Sequence, residues 1–156
     1  RRLPEFIEAR KRNWQTLREG LVATEHVLEF SLPTHATGWD PATGFSWDAS
    51  GCRTDCSWFG FKISVKPDAP FRRTDLAKEL DAHRIGNRML FGGNLLRQPA
   101  FVQLRADRPD ALRVVGDLAG SDAIMVDTLF LGTYPGLTAP MLAKEIQVIL
   151  DFCRRR

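Results

Sequence analysis

The sequence predicts an α+β fold, in which a small antiparallel or mixed sheet is covered mainly on one face by helices. Two observations support this class. Apolar residues recur at helical spacing near both ends of the chain, and one central segment alternates strictly between apolar and polar side chains. The elements are expected in the order helix, strand, strand, helix, strand, helix, helix, strand, helix. With 156 residues, 44% hydrophobic and 26% charged, the chain can bury a core as a single domain.

The first element is a helix from about Pro4 to Leu21, because proline is favoured in a first helical turn and Gly20 stands near the expected end. Its apolar stripe comprises Leu3, Ile7, Trp14, Leu17 and Leu21. A strand over Val27–Leu32 follows and is closed by Pro33. The chain enters this helical pattern directly, without a methionine, so we expect it to be cut from something larger.

Residues 34–57 form the longest segment with no regular pattern. Loops of this length are usually functional or flexible rather than plain connections. Trp39, Phe45 and Trp47 lie within it, and such large rings need an apolar surface. That surface belongs either to this domain or to another one.

The clearest strand runs from Trp58 to Lys66 and is ended by Pro67 and Pro70. Its apolar positions are Phe59, Phe61, Ile63 and Val65, and its other face carries Gly60, Lys62 and Ser64. This alternation predicts one core face and one more polar face, with Phe59 on the core side.

Helices and short strands fill the second half of the chain. Thr74 is predicted to cap a helix that continues through Leu80 and stops at Gly86. A short strand, Asn87–Phe91, and a short helix, Pro99–Leu104, come next.

Ser121 is predicted to cap a further helical piece, which precedes the apolar strand Leu129–Leu131 and a turn at Tyr134-Pro135-Gly136. Thr138 then caps the last helix. The inner stripe of that helix is Leu142, Ile146, Ile149 and Cys153.

Composition and spacing argue against several function classes. The net charge of +3 owes much to arginines at the two chain ends, so it does not describe a basic face for nucleic acid. Phe59-Gly60-Phe61 matches the centre of an RNA-binding strand motif, but its flanking residues do not. Cys52-x3-Cys56 has no second pair, the histidines are scattered, and we expect no metal site. Three cysteines and the lack of an 18-residue apolar run make a cytoplasmic, non-membrane protein the default.

Residues 85–101, IGNRMLFGGNLLRQPAF, hold the densest set of candidate functional groups. Gly92 and Gly93 allow a close backbone approach or a positive φ. Asn94 can donate and accept hydrogen bonds, while Arg88 and Arg97 present planar forks suited to phosphate or carboxylate. Local chemistry alone favours a plain glycine turn with arginines in water.

Four blocks together resemble the C-terminal part of pyridoxal-phosphate enzymes of fold type I, in the branch acting on nucleotide-linked keto sugars. The blocks are LPEFIEARKRNWQTLREGL, CSWFGFKISVK, LDAHRIGNRMLFGGNLLRQPAF and DTLFLGTYPGLT. Within that branch, GGNLLRQPAF and SWDASGCRTDCSWFGF are most similar to the CDP-4-keto-6-deoxy-D-glucose 3-dehydrase group, which serves lipopolysaccharide biosynthesis.

The resemblance implies a division into an inter-domain helix, residues 1–22, and a small domain, residues 27–156. It also implies a parent enzyme that holds pyridoxal or pyridoxamine phosphate and removes the C3 hydroxyl of a nucleotide-linked keto sugar. In that group a histidine replaces the Schiff-base lysine, a [2Fe-2S] centre is present, and an iron–sulfur flavin reductase supplies electrons. Those elements are expected upstream of Arg1, so Cys52 and Cys56 are not expected to be cluster ligands.

The same resemblance assigns no catalytic residue to this chain and places seven residues at the cofactor or substrate cleft. They are Ser57, Phe59, Arg88, Gly92, Gly93, Asn94 and Arg97. Either Arg97 or Arg88 is expected to neutralise nucleotide phosphate. The parent is expected to be a homodimer and to contain an N-terminal large domain that is missing from this sequence. Two alternatives remain: the small domain of a sugar-nucleotide aminotransferase, and a stand-alone interaction module.

Overall fold

A computed structural model describes residues 2–156, which form five α-helices and six β-strands. The helices are α1 (Leu3–Gly20), α2 (Arg73–Ala82), α3 (Pro99–Asp107), α4 (Ala119–Asp127) and α5 (Ala139–Arg154). The strands are β1 (Leu28–Phe30), β2 (Ala36–Asp40), β3 (Gly44–Trp47), β4 (Gly60–Val65), β5 (Asn87–Met89) and β6 (Thr128–Gly132). The predicted α+β class is confirmed.

Four strands form the main sheet in the order β1-β4-β6-β5. Every pairing in it is antiparallel, with Leu28 opposite Val65, Phe61 opposite Leu131, and Asn87 opposite Leu131. The sheet is therefore antiparallel rather than mixed, and β4 and β6 are its central strands. Both central strands are rich in large apolar residues, as expected for strands that pair on both sides.

The core lies between this sheet and α1, α2 and α5. Its largest fully buried side chains are Trp14, Phe61, Phe152, Leu17, Leu21, Leu28, Ile63, Leu76, Leu80, Leu129, Leu131 and Ile149. The alternation predicted along β4 is confirmed for Phe61, Ile63 and Val65, which are all buried. Within residues 2–156, no helix has both the length and the apolar character needed to cross a membrane.

An aromatic cluster around Trp14 joins α1 to the rest of the fold. The Trp14 ring stacks on Trp58 with centroids 4.5 Å apart and planes 8° apart. It meets Trp39 edge-on at 5.6 Å and lies 5.5 Å from Phe45 and 6.0 Å from Phe61. Stacked and edge-to-face rings at these separations are favourable beyond the area that they bury.

The prediction that residues 34–57 lack regular structure is wrong for part of the segment. β2 and β3 pair there as an antiparallel hairpin, closed by a turn in which the Asp40 carboxylate accepts the backbone N–H groups of Ala42 and Thr43. Gly44 ends the turn with φ +79°. The hairpin is half-exposed and rich in glycine, which leaves no clear alternation in the sequence. Trp39 and Phe45 nevertheless pack on this domain, through Trp14.

The predicted cap of α2 at Thr74 is wrong, because the helix already begins at Arg73. The side chain of Asp75 reaches back and accepts a 3.0 Å hydrogen bond from the backbone N–H of Arg72. An acidic residue in the first turn thus satisfies a free N–H group that the prediction gave to a threonine hydroxyl.

The predicted cap of α4 at Ser121 is also wrong, because that helix begins at Ala119. Leu118 precedes it with φ +58°, and the Asp117 carboxylate accepts the backbone N–H of Ala119 at 2.9 Å. For α5, Thr138 occupies the N-cap position as predicted, but its side chain makes no capping hydrogen bond.

Phe59 is the one predicted inward residue of the central strand that the structure turns outward. Its side chain is 68% exposed, and β4 begins only at Gly60. A Cβ atom on Gly60 would meet the Phe130 ring at 2.5 Å, so this position lies directly under an aromatic side chain. The Phe59 ring itself lies 5.7 Å from Phe130, on the sheet face opposite the core.

We predict that Trp14→Ala lowers the free energy of unfolding by about 3–5 kcal/mol, because it empties the centre of the aromatic cluster. Urea titration followed by circular dichroism measures this change. The matched control is Phe91→Ala, since Phe91 is 78% exposed and its removal should change stability by only about 0.5 kcal/mol. Equal losses in the two variants would contradict the role of Trp14.

Candidate functional site

Three phenyl rings meet on the sheet face that points away from the core. Phe130 stands on β6, Phe59 precedes β4, and Phe91 follows β5. The ring centroids of Phe59 and Phe91 lie 5.7 Å and 6.2 Å from that of Phe130. Phe91 is 78% exposed, so core packing does not account for these rings.

Two arginines stand beside the rings and complete a cleft of about 500 Å³. Arg10 reaches it from α1 and donates a 3.3 Å hydrogen bond from Nη1 to the backbone carbonyl oxygen of Trp58. Arg88 reaches it from β5. Neither arginine forms an ion pair with any carboxylate of residues 2–156, and no Asp or Glu lines the cleft. Aromatic faces next to uncompensated guanidinium groups suit a planar, anionic ligand.

The glycine pair that stood out in the sequence packs against α4. Gly93 has φ +58°, and a Cβ atom there would lie 2.4 Å from the Cβ of Met125. The backbone carbonyl of Gly92 accepts a 2.9 Å hydrogen bond from Nε2 of Gln98. The glycine at position 93 is therefore required for the close approach of two segments and for a left-handed backbone.

Asp122 on α4 gathers the polar groups of the same loop. Its carboxylate accepts two 2.6 Å hydrogen bonds from the guanidinium of Arg97 and one of 2.7 Å from the Asn94 amide. Asn94 is buried, and its amide oxygen accepts the backbone N–H of Leu96 at 3.0 Å. Hydrogen bonds from Arg97, and then from Asn94, lower the pKa of Asp122 from 3.8 to about 2.

The structure thus divides the predicted site residues between two clusters. Phe59 and Arg88 line the cleft, and Ser57 is exposed two residues before Phe59. Gly92, Gly93, Asn94 and Arg97 belong to the cluster around Met125 and Asp122 and do not line the cleft.

Sequence reasoning missed several members of these clusters. They are Arg10, Phe91, Tyr134, Phe130 and Asp122. Arg10 precedes Trp14 by four residues, so helical spacing placed it on the same face and could have indicated it. An acidic residue in the first turn of a helix was the signal for Asp122. The pairing of β6 with β4 determines the sheet face on which Phe130 lies. The local sequence pattern does not indicate that face.

The described residues fit the binding of an anion or a ring better than covalent or metal chemistry. No lysine lines the cleft, so it lacks an amine for a Schiff base. Cys52 is exposed, Cys56 is partly buried, and Cys153 is buried in α5, where desolvation raises its pKa to about 11. In residues 2–156 no three His, Cys, Asp or Glu side chains stand together as metal ligands.

Fold and cleft define a class of protein: a small α+β domain with an antiparallel sheet and a cleft lined by aromatic rings and arginines. The sequence profile of the DegT/DnrJ/EryC1/StrS aminotransferase family matches residues 1–149. The chain belongs to this family.

Two characterised relatives align with almost the whole chain. The lipopolysaccharide biosynthesis protein RfbH of Salmonella typhimurium is 38% identical over 151 residues, which are 97% of this chain and 29% of that protein. The dTDP-4-dehydro-2,6-dideoxy-D-glucose 3-dehydratase of Saccharopolyspora spinosa is 36% identical over 151 residues, 97% of this chain and 28% of that protein. The chain therefore spans under a third of the length of these relatives.

Solved structures show the same fold at low sequence identity. A GDP-4-keto-6-deoxymannose-3-dehydratase with bound GDP-perosamine superposes with a TM-score of 0.70 at 20% identity, over 95% of this chain and 32% of that one. The aminotransferase TlmJ from Streptoalloteichus hindustanus superposes with a TM-score of 0.68 at 17% identity, over 99% and 34%. Both confirm the expected fold type.

Gly93→Ala should destabilise the chain by about 2–4 kcal/mol, since the new methyl group meets Met125 and the backbone is left-handed. Gly86→Ala is the control, because a Cβ atom at Gly86 meets nothing within 4 Å. Thermal unfolding of both variants gives the comparison. A melting temperature of Gly93→Ala equal to that of the control would refute the packing role.

Asp122→Asn should lower the free energy of unfolding at neutral pH and lose this effect in acid. The pKa of Asp122 is lower in the folded chain, so its contribution is present above the usual value of 3.8 and is lost as pH falls to about 2. Urea titrations between pH 7 and pH 2 measure the difference from the parent chain. The control is Asp110→Asn, which removes the same charge at an exposed position. A difference that stays constant down to pH 2 would show that Asp122 is not the group responsible.

Proposed function

We propose that this chain is the C-terminal small domain of a pyridoxal- or pyridoxamine-phosphate-dependent sugar-nucleotide 3-dehydrase. The parent reaction is the removal of the C3 hydroxyl from a CDP-4-keto-6-deoxyhexose, which serves the formation of 3,6-dideoxyhexoses for O-antigen. The observation that carries the proposal is the cleft in which exposed rings stand beside Arg10 and Arg88 without a carboxylate. Identity of 36% with a named 3-dehydratase and 38% with a lipopolysaccharide protein supports the reaction class.

The proposed role of this chain is to bind and orient the substrate. A sugar nucleotide carries a diphosphate and planar rings, which match the guanidinium forks and the phenyl faces of the cleft. Arg88 has no carboxylate partner among the described residues, whereas Arg97 is held by Asp122. Of the two arginines considered from the sequence, we therefore assign the phosphate contact to Arg88. Arg97 could take that role only after releasing Asp122.

The remaining parts of the proposed enzyme lie outside this chain. We propose that residues 1–22 join this domain to an N-terminal large domain, which holds the cofactor and supplies the chemistry of the elimination. The [2Fe-2S] centre, the flavin reductase partner, the homodimer and the cytoplasmic location stay predictions. The chain covers only 29% and 28% of the length of its two relatives, which is consistent with a further domain in the parent protein. Exposed apolar residues Leu3 and Phe6 at the start of α1 offer a contact surface for it.

A sugar-nucleotide aminotransferase is the second candidate function. The family description and structural neighbours such as TlmJ favour it. Lysine at the cofactor-facing position of the large domain would favour transamination, and histidine would favour dehydration. A stand-alone interaction module is the third reading, and a reading frame without an upstream large domain would favour it.

The decisive experiment uses the protein encoded by the complete reading frame around these residues. It is incubated with pyridoxamine phosphate, glutamate, a chemical reductant and a CDP-4-keto-6-deoxyhexose. We expect mass spectrometry to show a product that has lost the C3 oxygen. A product that instead gains an amine from glutamate would identify the aminotransferase.

In that full-length protein, Arg88→Ala should raise KM for the sugar nucleotide by about ten- to a hundredfold with little change in kcat, since it removes a charged contact to phosphate. The control is Arg105→Ala, which removes an exposed arginine on α3. An unchanged KM in Arg88→Ala would remove the phosphate role while leaving the reaction class intact.

A further inference from the structure

A buried glutamate occupies a position of α5 where the helical pattern requires an apolar residue. Glu145 lies between Leu142 and Ile149 on the inner face of the helix, and only 9% of it is exposed. Lysine and glutamate are almost never fully buried unless they are paired. The proposed dehydrase function does not use this carboxyl group.

The carboxyl group of Glu145 lacks a partner. Its Oε2 atom is buried and has no hydrogen-bond partner in residues 2–156. Desolvation raises its pKa to about 7, so near neutral pH the group is divided between its charged and neutral forms. An unpaired buried carboxyl destabilises the folded chain, and a ligand that donates hydrogen bonds would remove that cost.

Glu145 lines a pocket of about 320 Å³ beside the cleft. Ile85, Leu137 and Met141 form its apolar walls, and Tyr134 contributes to both the pocket and the cleft. A cavity of this size has room for a small organic ligand together with water. Its walls suit methylene groups, and one acidic group lies among them.

Two cations line the same pocket, Arg84 from the turn after α2 and Lys144 from α5. Both are exposed, and neither forms an ion pair with Glu145. Lys144 and Glu145 are adjacent on the helix, where neighbouring side chains do not face each other. The pocket therefore offers a buried acceptor together with positive charge near solvent.

We propose that this pocket binds a small zwitterion of the amino-acid class, with its ammonium group on Glu145 and its carboxylate on Arg84 and Lys144. A simple cation would satisfy Glu145 but would meet the two positive side chains. A simple anion would satisfy those side chains but would leave Glu145 without a charged donor. Only a ligand that carries both charges matches both parts of the pocket. The proposal does not depend on the proposed dehydrase activity.

Tyr134 lines the pocket and is the sole tyrosine of the 156-residue chain, so it gives a single signal. Because Tyr134 also lines the cleft, the Glu145 and Lys144 variants are needed to assign a shift to the pocket. The chain is labelled with 3-fluorotyrosine, and its single fluorine NMR signal is followed during titration with glycine, β-alanine and 4-aminobutyrate. These probes carry the same two charged groups at increasing separation. Acetate and methylammonium are the controls that each carry one of the charges.

We expect at least one zwitterion to shift the Tyr134 signal saturably and to bind at least about tenfold more tightly than either control, as expected for a second charged contact. Glu145→Gln, which keeps the side-chain volume, should weaken that binding about tenfold or more. Lys144→Gln should also weaken it, and this exposed position does not disturb the core if Glu145→Gln fails to fold. Lys78→Gln, on the exposed face of α2, is the control that should bind as the parent chain does.

Three results would overturn the proposal. They are the lack of any saturable shift with all three zwitterions, equal binding of acetate or methylammonium, and unchanged binding in a folded Glu145→Gln or Lys144→Gln variant. Because the titration contains neither cofactor nor sugar nucleotide, its outcome is independent of the test of the dehydrase activity.

Discussion

The packing of Trp14 among four other aromatic rings is the interaction on which the arrangement of this domain depends. It brings together α1, the β2–β3 hairpin, and β4 with the residues just before it, which come from three separate parts of the sequence. Because interiors are close-packed, a ring that touches all three parts limits how each can move relative to the others. The position of Arg10, one turn earlier on α1, follows from the same packing.

The two polar clusters outside the core differ in how their charge is balanced. Arg97 and Asn94 are satisfied within the chain by Asp122, so their cluster stabilises the loop against α4. Arg10 and Arg88 stand beside exposed rings with no carboxylate in the cleft. A guanidinium group that no carboxylate of the described residues holds remains available to an anionic ligand, which is why the cleft rather than the glycine loop supports a binding role.

Family membership and the chemistry of the site together restrict the roles that this chain can be proposed to have. The match over residues 1–149 establishes the family, while the described residues offer no Schiff-base amine in the cleft and no grouped metal ligands. Under the proposal, this domain contributes binding and orientation, and the chemistry belongs to residues outside it. Glu145 is a separate case, because its unpaired carboxyl belongs to a neighbouring pocket that shares Tyr134 with the cleft.

The sequence by itself determined the α+β class, the long terminal helices, the core face of β4 and the family resemblance. These features depend on apolar periodicity and on motifs of neighbouring residues, both of which can be recognised in the local sequence. The sequence did not predict the helix starts at Arg73 and Ala119, since the side chains of Asp75 and Asp117 replace the expected caps. It also did not predict the β2–β3 hairpin, because the hairpin lacks an apolar alternation. Only the tertiary structure decided which candidate residues meet. Strand pairing and helix packing place Phe59 and Arg88 beside Arg10, whereas Arg97 binds Asp122. Such contacts between distant segments have no signature in the local sequence.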